Sequence, residues 1–135
     1  MFIYKVKINF FDCDPAGILF YGRIYEVCHT AYEAMIESFS LKENYWNNDD
    51  YVVPIISSSA KYRVPANYYD TLTVEISVSI LKSSSFELQY DCKNQDGDIC
   101  VEVKTIHVCV GRTAWKKKEL SVEIREGLQK HITAS

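Results

Sequence analysis

The sequence lacks the features that mark membrane, secreted and metal-binding proteins. No apolar run in its 135 residues approaches the ~20 residues that span a bilayer, and its alternating start is unlike a signal peptide. Its five cysteines form no Cys-x-x-Cys pair and no Cys/His cluster with zinc spacing. A net charge of −3 gives no bulk attraction to nucleic acid. We therefore expect a cytoplasmic protein with reduced thiols, without metal or organic cofactor, and without nucleic-acid or membrane partners.

The composition that remains is that of one globular domain. Hydrophobic residues make up 47 % of the chain and charged residues 24 %, which is an ordinary balance for a folded protein. A chain of 135 residues leaves little room for a second core, and it contains no repeat, linker or low-complexity tract. We expect a single domain over residues 1–135.

The first half of the chain predicts a strand, a shaped loop and a long helix. Apolar and polar residues alternate over residues 4–11, as in a strand with one buried face. The loop at residues 12–17 contains proline and glycine, and the period is helical from about residue 20 to 39. The predicted core-facing stripe of this helix consists of Ile24, Val27, Cys28, Ala31 and Met35.

The second half predicts an antiparallel sheet. Strand patterns cover residues 52–64, 71–81, 86–92 and 99–110, with a hairpin signal at residues 94–98. A short helix is expected at about 121–131, with Ser121 and Ile124 opening its first turn. The economical architecture is an α+β fold in which one long helix packs on one face of the sheet. An uncovered face and free edge strands predict self-association.

The loop between the first strand and the helix has the best potential for chemistry. Amides at a helix start suit a developing oxyanion, and Asp14 beside them could attack an acyl carbon or activate water. The alternative is that Asp14 is a turn or capping residue. The side chain of Asp12 points to the other side of an extended segment, so we expect it to support the loop.

Two family resemblances sharpen this picture. The run Asp-Cys-Asp-Pro-Ala-Gly-Ile-Leu-Phe-Tyr at residues 12–21 resembles the 4-hydroxybenzoyl-CoA thioesterase family of hotdog proteins, and weaker likeness extends to residues 53–57 and 69–72. Residues 28–34 and 107–110 are similar to segments of the 1,4-dihydroxy-2-naphthoyl-CoA thioesterases, a related hotdog branch.

The first resemblance implies a hotdog fold, with a five-stranded antiparallel sheet wrapped around one long helix. It implies a homodimer or homotetramer with active sites at the subunit interface. It also implies that Asp14 is the catalytic carboxylate and that the backbone N–H of Tyr21 polarises the thioester carbonyl. Gly17 and Ile18, in the same loop, are expected to contact the substrate.

Further substrate contacts are predicted from the helix and from the strand that begins at residue 52. Tyr21, Tyr25, His29 and Tyr32 form a helical row, which is either an acyl-pocket wall or a packed flank; for Tyr32 we favour packing. Ser58 and Ser59 interrupt a strand, which on composition alone favours an outward-facing or edge segment. Family position suggests instead that they complete the pocket across the interface. Cations must meet the phosphates of CoA, and the candidates are Arg63, Lys82, Lys61, Arg112 and the run Lys116–Lys118. For the lysine run we favour a solvated surface.

The sequence thus predicts an acyl-CoA thioesterase acting on an aromatic or bulky acyl group. The alternatives are a 1,4-dihydroxy-2-naphthoyl-CoA hydrolase, or a module that binds acyl-CoA or acyl-carrier protein without catalysis. The sequence departs from the 4-hydroxybenzoyl-CoA enzyme at residues 82–86, where a basic cluster is replaced by Lys-Ser-Ser-Ser-Phe. The nucleotide of CoA must therefore be held differently.

Overall fold

A computed structural model describes residues 1–133. Two helices and seven strands make up the regular structure. They are β1 Phe2–Lys7, α1 Arg23–Glu37, β2 Tyr51–Val52, β3 Ile55–Tyr62, β4 Thr71–Leu81, β5 Ser85–Lys93, β6 Ile99–Val108, β7 Val110–Gly111 and α2 Val122–Gln129. None of these helices within residues 1–133 is long and apolar enough to cross a membrane.

Five strands form one antiparallel sheet in the order β1-β4-β5-β6-β3. Strands β4, β5 and β6 follow one another through short turns, and β1 and β3 add to the two sides. The strands β2 and β7 form a separate small pair beside the main sheet. This arrangement confirms the predicted five-stranded antiparallel sheet.

Helix α1 packs on one face of this sheet through the predicted apolar stripe. All five stripe residues are buried, and so are the inward-facing residues of the central strands. Inward and outward residues alternate because side chains of a strand point to opposite faces. The inward set from the central strands includes Leu72, Val74, Leu88, Tyr90 and Val103.

The first strand is shorter than predicted. It ends at Lys7, and Phe10–Asp12 forms a 3-10 turn that leaves Phe10 and Phe11 72 % and 73 % exposed. The Asp12 carboxylate accepts a hydrogen bond from the Asn9 N–H and so bends the chain. The alternating pattern could not reveal this turn, because the turn is closed by a side-chain hydrogen bond between residues 9 and 12 and not by the order of apolar and polar residues.

Two local predictions are confirmed. At residues 94–98, the Asn94 N–H donates to the Asp98 carbonyl and Gly97 has a φ of +84°, as a tight hairpin requires. At the start of α2, the Ser121 hydroxyl accepts a hydrogen bond from the Ile124 N–H. This contact satisfies one of the free amides of the first helical turn.

Strand β3 differs from the other strands because it lies at an edge and is exposed. Within residues 1–133 it pairs only with β6, and most of its residues are exposed to solvent. Ile56 is 63 % exposed. An exposed edge with an apolar side chain is a surface on which another strand can pair.

Candidate active site

The loop between β1 and α1 is fixed at both ends by Asp12. Its carboxylate accepts a hydrogen bond from the Asn9 N–H, and its second oxygen lies 3.4 Å from Nε of Arg23 in α1. Its carbonyl accepts a hydrogen bond from the Phe20 N–H at 3.0 Å. Asp12 therefore supports the loop, as the sequence predicted, and holds the helix start close to the strand end.

Asp14 lies inside this loop, half-buried, with a defined orientation. Its N–H donates to the Ile18 carbonyl, and its carbonyl accepts from the Gly17 N–H, each at 2.9 Å. Oδ1 accepts a hydrogen bond from the Ala16 N–H at 2.9 Å, whereas Oδ2 accepts none from any residue in the described range 1–133. The turn role and a chemical role are thus compatible, because one carboxylate oxygen shapes the loop and the other stays available.

Gly17 makes the tight loop possible. Its φ of +80° lies in the left-handed region, which costs an L-residue about 1–2 kcal/mol. The hydrogen bond from the Gly17 N–H to the Asp14 carbonyl closes the turn and fixes the distance between these two residues. Gly17 therefore has a role in shaping the loop backbone. That it also contacts the substrate stays a prediction.

Two backbone amides at the start of α1 have no acceptor. The N–H groups of Phe20 and Arg23 donate within the loop, but across residues 1–133 those of Tyr21 and Gly22 donate to no other residue. They lie at the positive end of a 15-residue helix dipole. This pair of donors is what a developing oxyanion requires.

The Tyr21 peptide is also held from the sheet. The Tyr62 hydroxyl, at the end of β3, donates a hydrogen bond to the Tyr21 carbonyl at 2.5 Å. Burial, followed by the neighbouring Tyr25 and Tyr21, raises the pKa of Tyr62, so its hydroxyl stays protonated as a donor. The sequence analysis did not identify Tyr62, since nothing local to residue 62 marks a contact 41 residues away.

Cavities flank the loop on two sides. One of about 210 Å³ is lined by Ile18, Tyr62 and Arg63 together with apolar residues of the β3–β4 connection. Another of about 350 Å³ is lined by Asp12, Gly22 and neighbouring residues. The Asp14 side chain lines neither of these two cavities in the single chain.

Cys13 lines the larger of these two cavities but is a poor nucleophile. Its thiol lies 3.6 Å from the Asn9 carbonyl oxygen. Burial and the charges of Asp12 and Asp14 raise the pKa of Cys13. A raised pKa keeps the sulfur as a thiol, which is the unreactive form.

The exposed flank of α1 carries two of the predicted contacts. Tyr25 is 37 % exposed and His29 is half-buried. Nδ1 of His29 lies 2.9 Å from Oε2 of Glu33, one turn further along the helix. Glu33 was missed by the sequence analysis, although its spacing of four residues from His29 could have indicated it.

Tyr32 is packed rather than open, as predicted. It is 1 % exposed, its hydroxyl is hydrogen-bonded to that of Tyr45, and its ring contacts His107 at 4.7 Å between centroids. Burial raises the pKa of Tyr32 well above its usual range. Tyr32 is therefore no candidate for substrate contact, and the residue of α1 next to His29 on the exposed flank is Glu33.

The remaining predicted contacts are distributed over the sheet. Ser58 is paired with buried Thr105 on the helix side, whereas Ser59 is paired with Lys104 and lines a polar groove on the opposite face. A single site on one face cannot contain both side chains, which corrects the prediction that they act together. Ser58 is the one that faces the helix side.

The two predicted cations also lie far apart. Arg63 lines the 210 Å³ cavity beside the loop, with its Nε 2.5 Å from Oε2 of Glu102. Lys82 follows β4, at the opposite end of an 11-residue strand from the Asp14 loop. At about 3.3 Å per residue this separation is on the order of 30 Å, so Lys82 does not join Arg63 in the site of one chain.

Comparisons with known proteins agree with this architecture. The sequence model of the thioesterase-like superfamily matches residues 8–130. The 1,4-dihydroxy-2-naphthoyl-CoA hydrolase of Trichodesmium erythraeum is 29 % identical over 130 residues, covering 94 % of each chain. That of Thermosynechococcus vestitus is 29 % identical over 108 residues, covering 79 % of this chain and 74 % of the relative.

Solved structures show the same fold. A 1,4-dihydroxy-2-naphthoyl-CoA thioesterase from Synechocystis superposes with a TM-score of 0.87 at 23 % identity, covering 95 % of each chain. The dynemicin thioesterase superposes with a TM-score of 0.91 at 11 % identity, covering 99 % of each chain. These matches confirm the predicted hotdog fold. With the sequence model covering nearly the whole domain, the chain belongs to the thioesterase-like superfamily.

Proposed function

We propose that this chain hydrolyses an acyl-CoA thioester with an aromatic acyl group, and that 1,4-dihydroxy-2-naphthoyl-CoA is the leading candidate substrate. One observation carries the proposal. The Asp14 carboxylate, with one oxygen free, lies in the same short loop that leads to the two unbonded amides of Tyr21 and Gly22.

The chemistry needs few groups. Asp14 either attacks the thioester carbon or accepts a proton from the water that attacks it. The carbonyl oxygen gains negative charge as the new bond forms, and the Tyr21 and Gly22 amides donate hydrogen bonds to it. When Asp14 attacks, the C–S bond breaks as a mixed anhydride forms, and water then hydrolyses this anhydride to the acid and the free Asp14 carboxylate. When water attacks, the C–S bond breaks from the tetrahedral intermediate. On either route the leaving CoA thiolate takes up a proton released by the water.

The acyl group is inferred from the relatives and from the α1 flank. Curated relatives along most of the chain are 1,4-dihydroxy-2-naphthoyl-CoA hydrolases, which favours this substrate over 4-hydroxybenzoyl-CoA. When neutral His29 donates from Nδ1 to Glu33, its Nε2 is left as an acceptor. An acceptor beside an aromatic flank suits a phenolic hydroxyl of the acyl ring.

Two chains are needed to complete the site. Asp14 lines neither of the two cavities beside its loop, and the exposed edge of β3 ends at Tyr62 next to one of them. We infer a homodimer in which the β3 edges of two copies pair, so that the partner strand closes the site. Ser58, on the helix side of β3, is then the serine positioned to contact the substrate.

The experiment is a substrate panel measured by thiol release. Purified protein is given 1,4-dihydroxy-2-naphthoyl-CoA, 4-hydroxybenzoyl-CoA, benzoyl-CoA and palmitoyl-CoA, and kcat/KM is compared. The proposal expects the naphthoyl ester to be preferred by at least tenfold. Saturable binding of all four without thiol release would instead identify a binding module.

A further inference from the structure

The only two tryptophans of the chain, Trp46 and Trp115, line one surface groove of about 380 Å³. They are 45 % and 62 % exposed, and Val53, Pro54 and Arg112 line the same groove. The catalysis proposed above uses none of these residues. Large exposed indoles beside a cation mark a binding surface rather than a packed core.

Both indoles are held in place rather than loosely attached. The Trp46 ring packs edge-on against Tyr45 and Tyr32, with centroids 4.7 and 5.3 Å away. Trp115 has a φ of +55°, in the left-handed region that bulky residues rarely adopt, and its N–H donates to the Gly111 carbonyl. The loop therefore carries backbone strain at the residue that presents an indole to the groove.

The charges around the groove favour an anion. Nε of Arg112 donates a hydrogen bond to the Asn48 carbonyl, which fixes the guanidinium. The two terminal nitrogens of the guanidinium are then available to donate to a ligand. Lys118 is paired with Asp50 at 3.0 Å, whereas Lys116 and Lys117 form no ion pair with any residue of the described range. Aromatic planes combined with unpaired cations suit a nucleotide, whose base stacks and whose phosphates accept hydrogen bonds.

The groove and the Asp14 loop lie at opposite ends of β3. Val53 and Pro54 precede Ile55, the first residue of β3, whereas Tyr62 and Arg63 at its end line the cavity beside the loop. Two copies that extend one sheet through β3, with α1 on the same side, are related by a twofold axis and pair antiparallel. The groove of one subunit then lies next to the loop of its partner.

We propose that this groove binds the adenosine 3′-phosphate and diphosphate end of CoA while the thioester reacts at Asp14 of the partner subunit. The inference rests on the proposed thioesterase function. It accounts for the absence of the basic cluster at residues 82–86, because Arg112 lines the groove and Lys116 and Lys117 directly follow Trp115 in the same loop.

The first test uses the fluorescence of the intact protein. Both tryptophans line the groove, so indole emission reports on it, and Trp46 also packs beside His29 with ring centroids 5.7 Å apart. CoA and adenosine 3′,5′-bisphosphate are expected to quench this emission saturably and to compete with each other, whereas pantetheine is not. Quenching by pantetheine alone, or none by either nucleotide, would overturn the proposal.

The second test compares full and truncated substrates. Trp115→Ala and Arg112→Gln are each expected to raise KM for CoA thioesters about tenfold with kcat unchanged, and to leave hydrolysis of the matching pantetheine thioesters unaltered. If the two variants raised KM equally for the CoA and pantetheine thioesters of the same acyl group, the groove would bind the acyl ring and the proposal would be overturned. Failure of wild-type turnover with nucleotide quenching intact would reject only the thioesterase function, so the two failures are distinguishable.

Discussion

The Tyr62 hydroxyl donates a hydrogen bond to the Tyr21 carbonyl at 2.5 Å, and this contact joins the exposed edge strand to the first residues of the long helix. The carbonyl belongs to the same peptide group as the unbonded Gly22 N–H. A hydrogen bond accepted at one end of a peptide polarises the donor at the other end. The Tyr62 hydroxyl, at the end of β3, therefore strengthens the Gly22 N–H as a hydrogen-bond donor at the proposed oxyanion site.

Tyr62→Phe is expected to lower kcat about tenfold while KM changes less than twofold. The reason is that the amides interact more strongly with the transition state than with the bound thioester. Steady-state thiol release measures both constants. Tyr4→Phe, which removes a hydroxyl from the edge strand β1, is the matched control and is expected to leave kcat unchanged. An equal kcat in both variants would show that the bond to Tyr21 is only structural.

Gly17→Ala is expected to reduce both stability and turnover. Its φ of +80° makes the substitution cost about 1–2 kcal/mol, although the new methyl has room, with Tyr68 at 3.9 Å. Gly97→Ala is the control, because its φ is +84° and nothing lies within 4 Å. Urea unfolding should show similar losses for both variants, and only the first should lower kcat/KM. If both variants hydrolysed equally well, the Gly17 turn would have no role in the site.

His107 is expected to make stability fall below neutral pH. It is fully buried between Phe86 and Tyr32, and burial followed by the charge of His29 lowers its pKa to about 3. The unfolded chain, with a histidine pKa near 6.5, binds an additional proton between these two values, so the free energy of unfolding decreases as pH falls through this window.

Denaturant titrations at pH 7 and pH 5 measure this effect. The contribution of His107 to the free energy of unfolding is expected to drop by about 2 kcal/mol over this interval. His107→Gln removes the titrating group and can keep the hydrogen bond to Thr105. The variant should therefore lose less stability than the wild type between the two pH values. A parallel loss in both proteins would mean that His107 does not titrate as described.

Ile56→Asp is expected to weaken self-association and activity together. Ile56 lies on the exposed edge of β3, where a charge opposes pairing with a second strand. Sedimentation velocity should show a dimer or larger species for the wild type and a tenfold or greater rise in the dissociation constant for the variant. Full activity of a monomeric variant would show that one chain forms a complete site.

The fold was predictable because its signals are periodic and local. The apolar stripe from Ile24 to Met35 and the Asp-Gly hairpin at residues 94–98 each act within one element. The placement of the candidate site residues was predictable only in part. Asp14 and Gly17 belong to one continuous loop, which a motif can reveal.

Contacts between distant segments were not predictable. Tyr62 reaches Tyr21 across 41 residues, and the separation of Ser58 from Ser59 depends on which face of the sheet each one occupies. The strand register decides this, since moving by one residue reverses every side chain. Phe10 likewise continues the alternating pattern of the first strand, but it lies with Phe11 in a turn closed by Asp12.

The most direct test is thiol release from 1,4-dihydroxy-2-naphthoyl-CoA by the wild type, Asp14→Asn and Asp12→Asn. The two variants replace neighbouring carboxylates by the same amide, but only Asp14 has an oxygen free for chemistry, since both oxygens of Asp12 have partners. We expect Asp14→Asn to lower kcat by at least a thousandfold and Asp12→Asn by less than tenfold. Equal turnover by Asp14→Asn and the wild type would contradict the account.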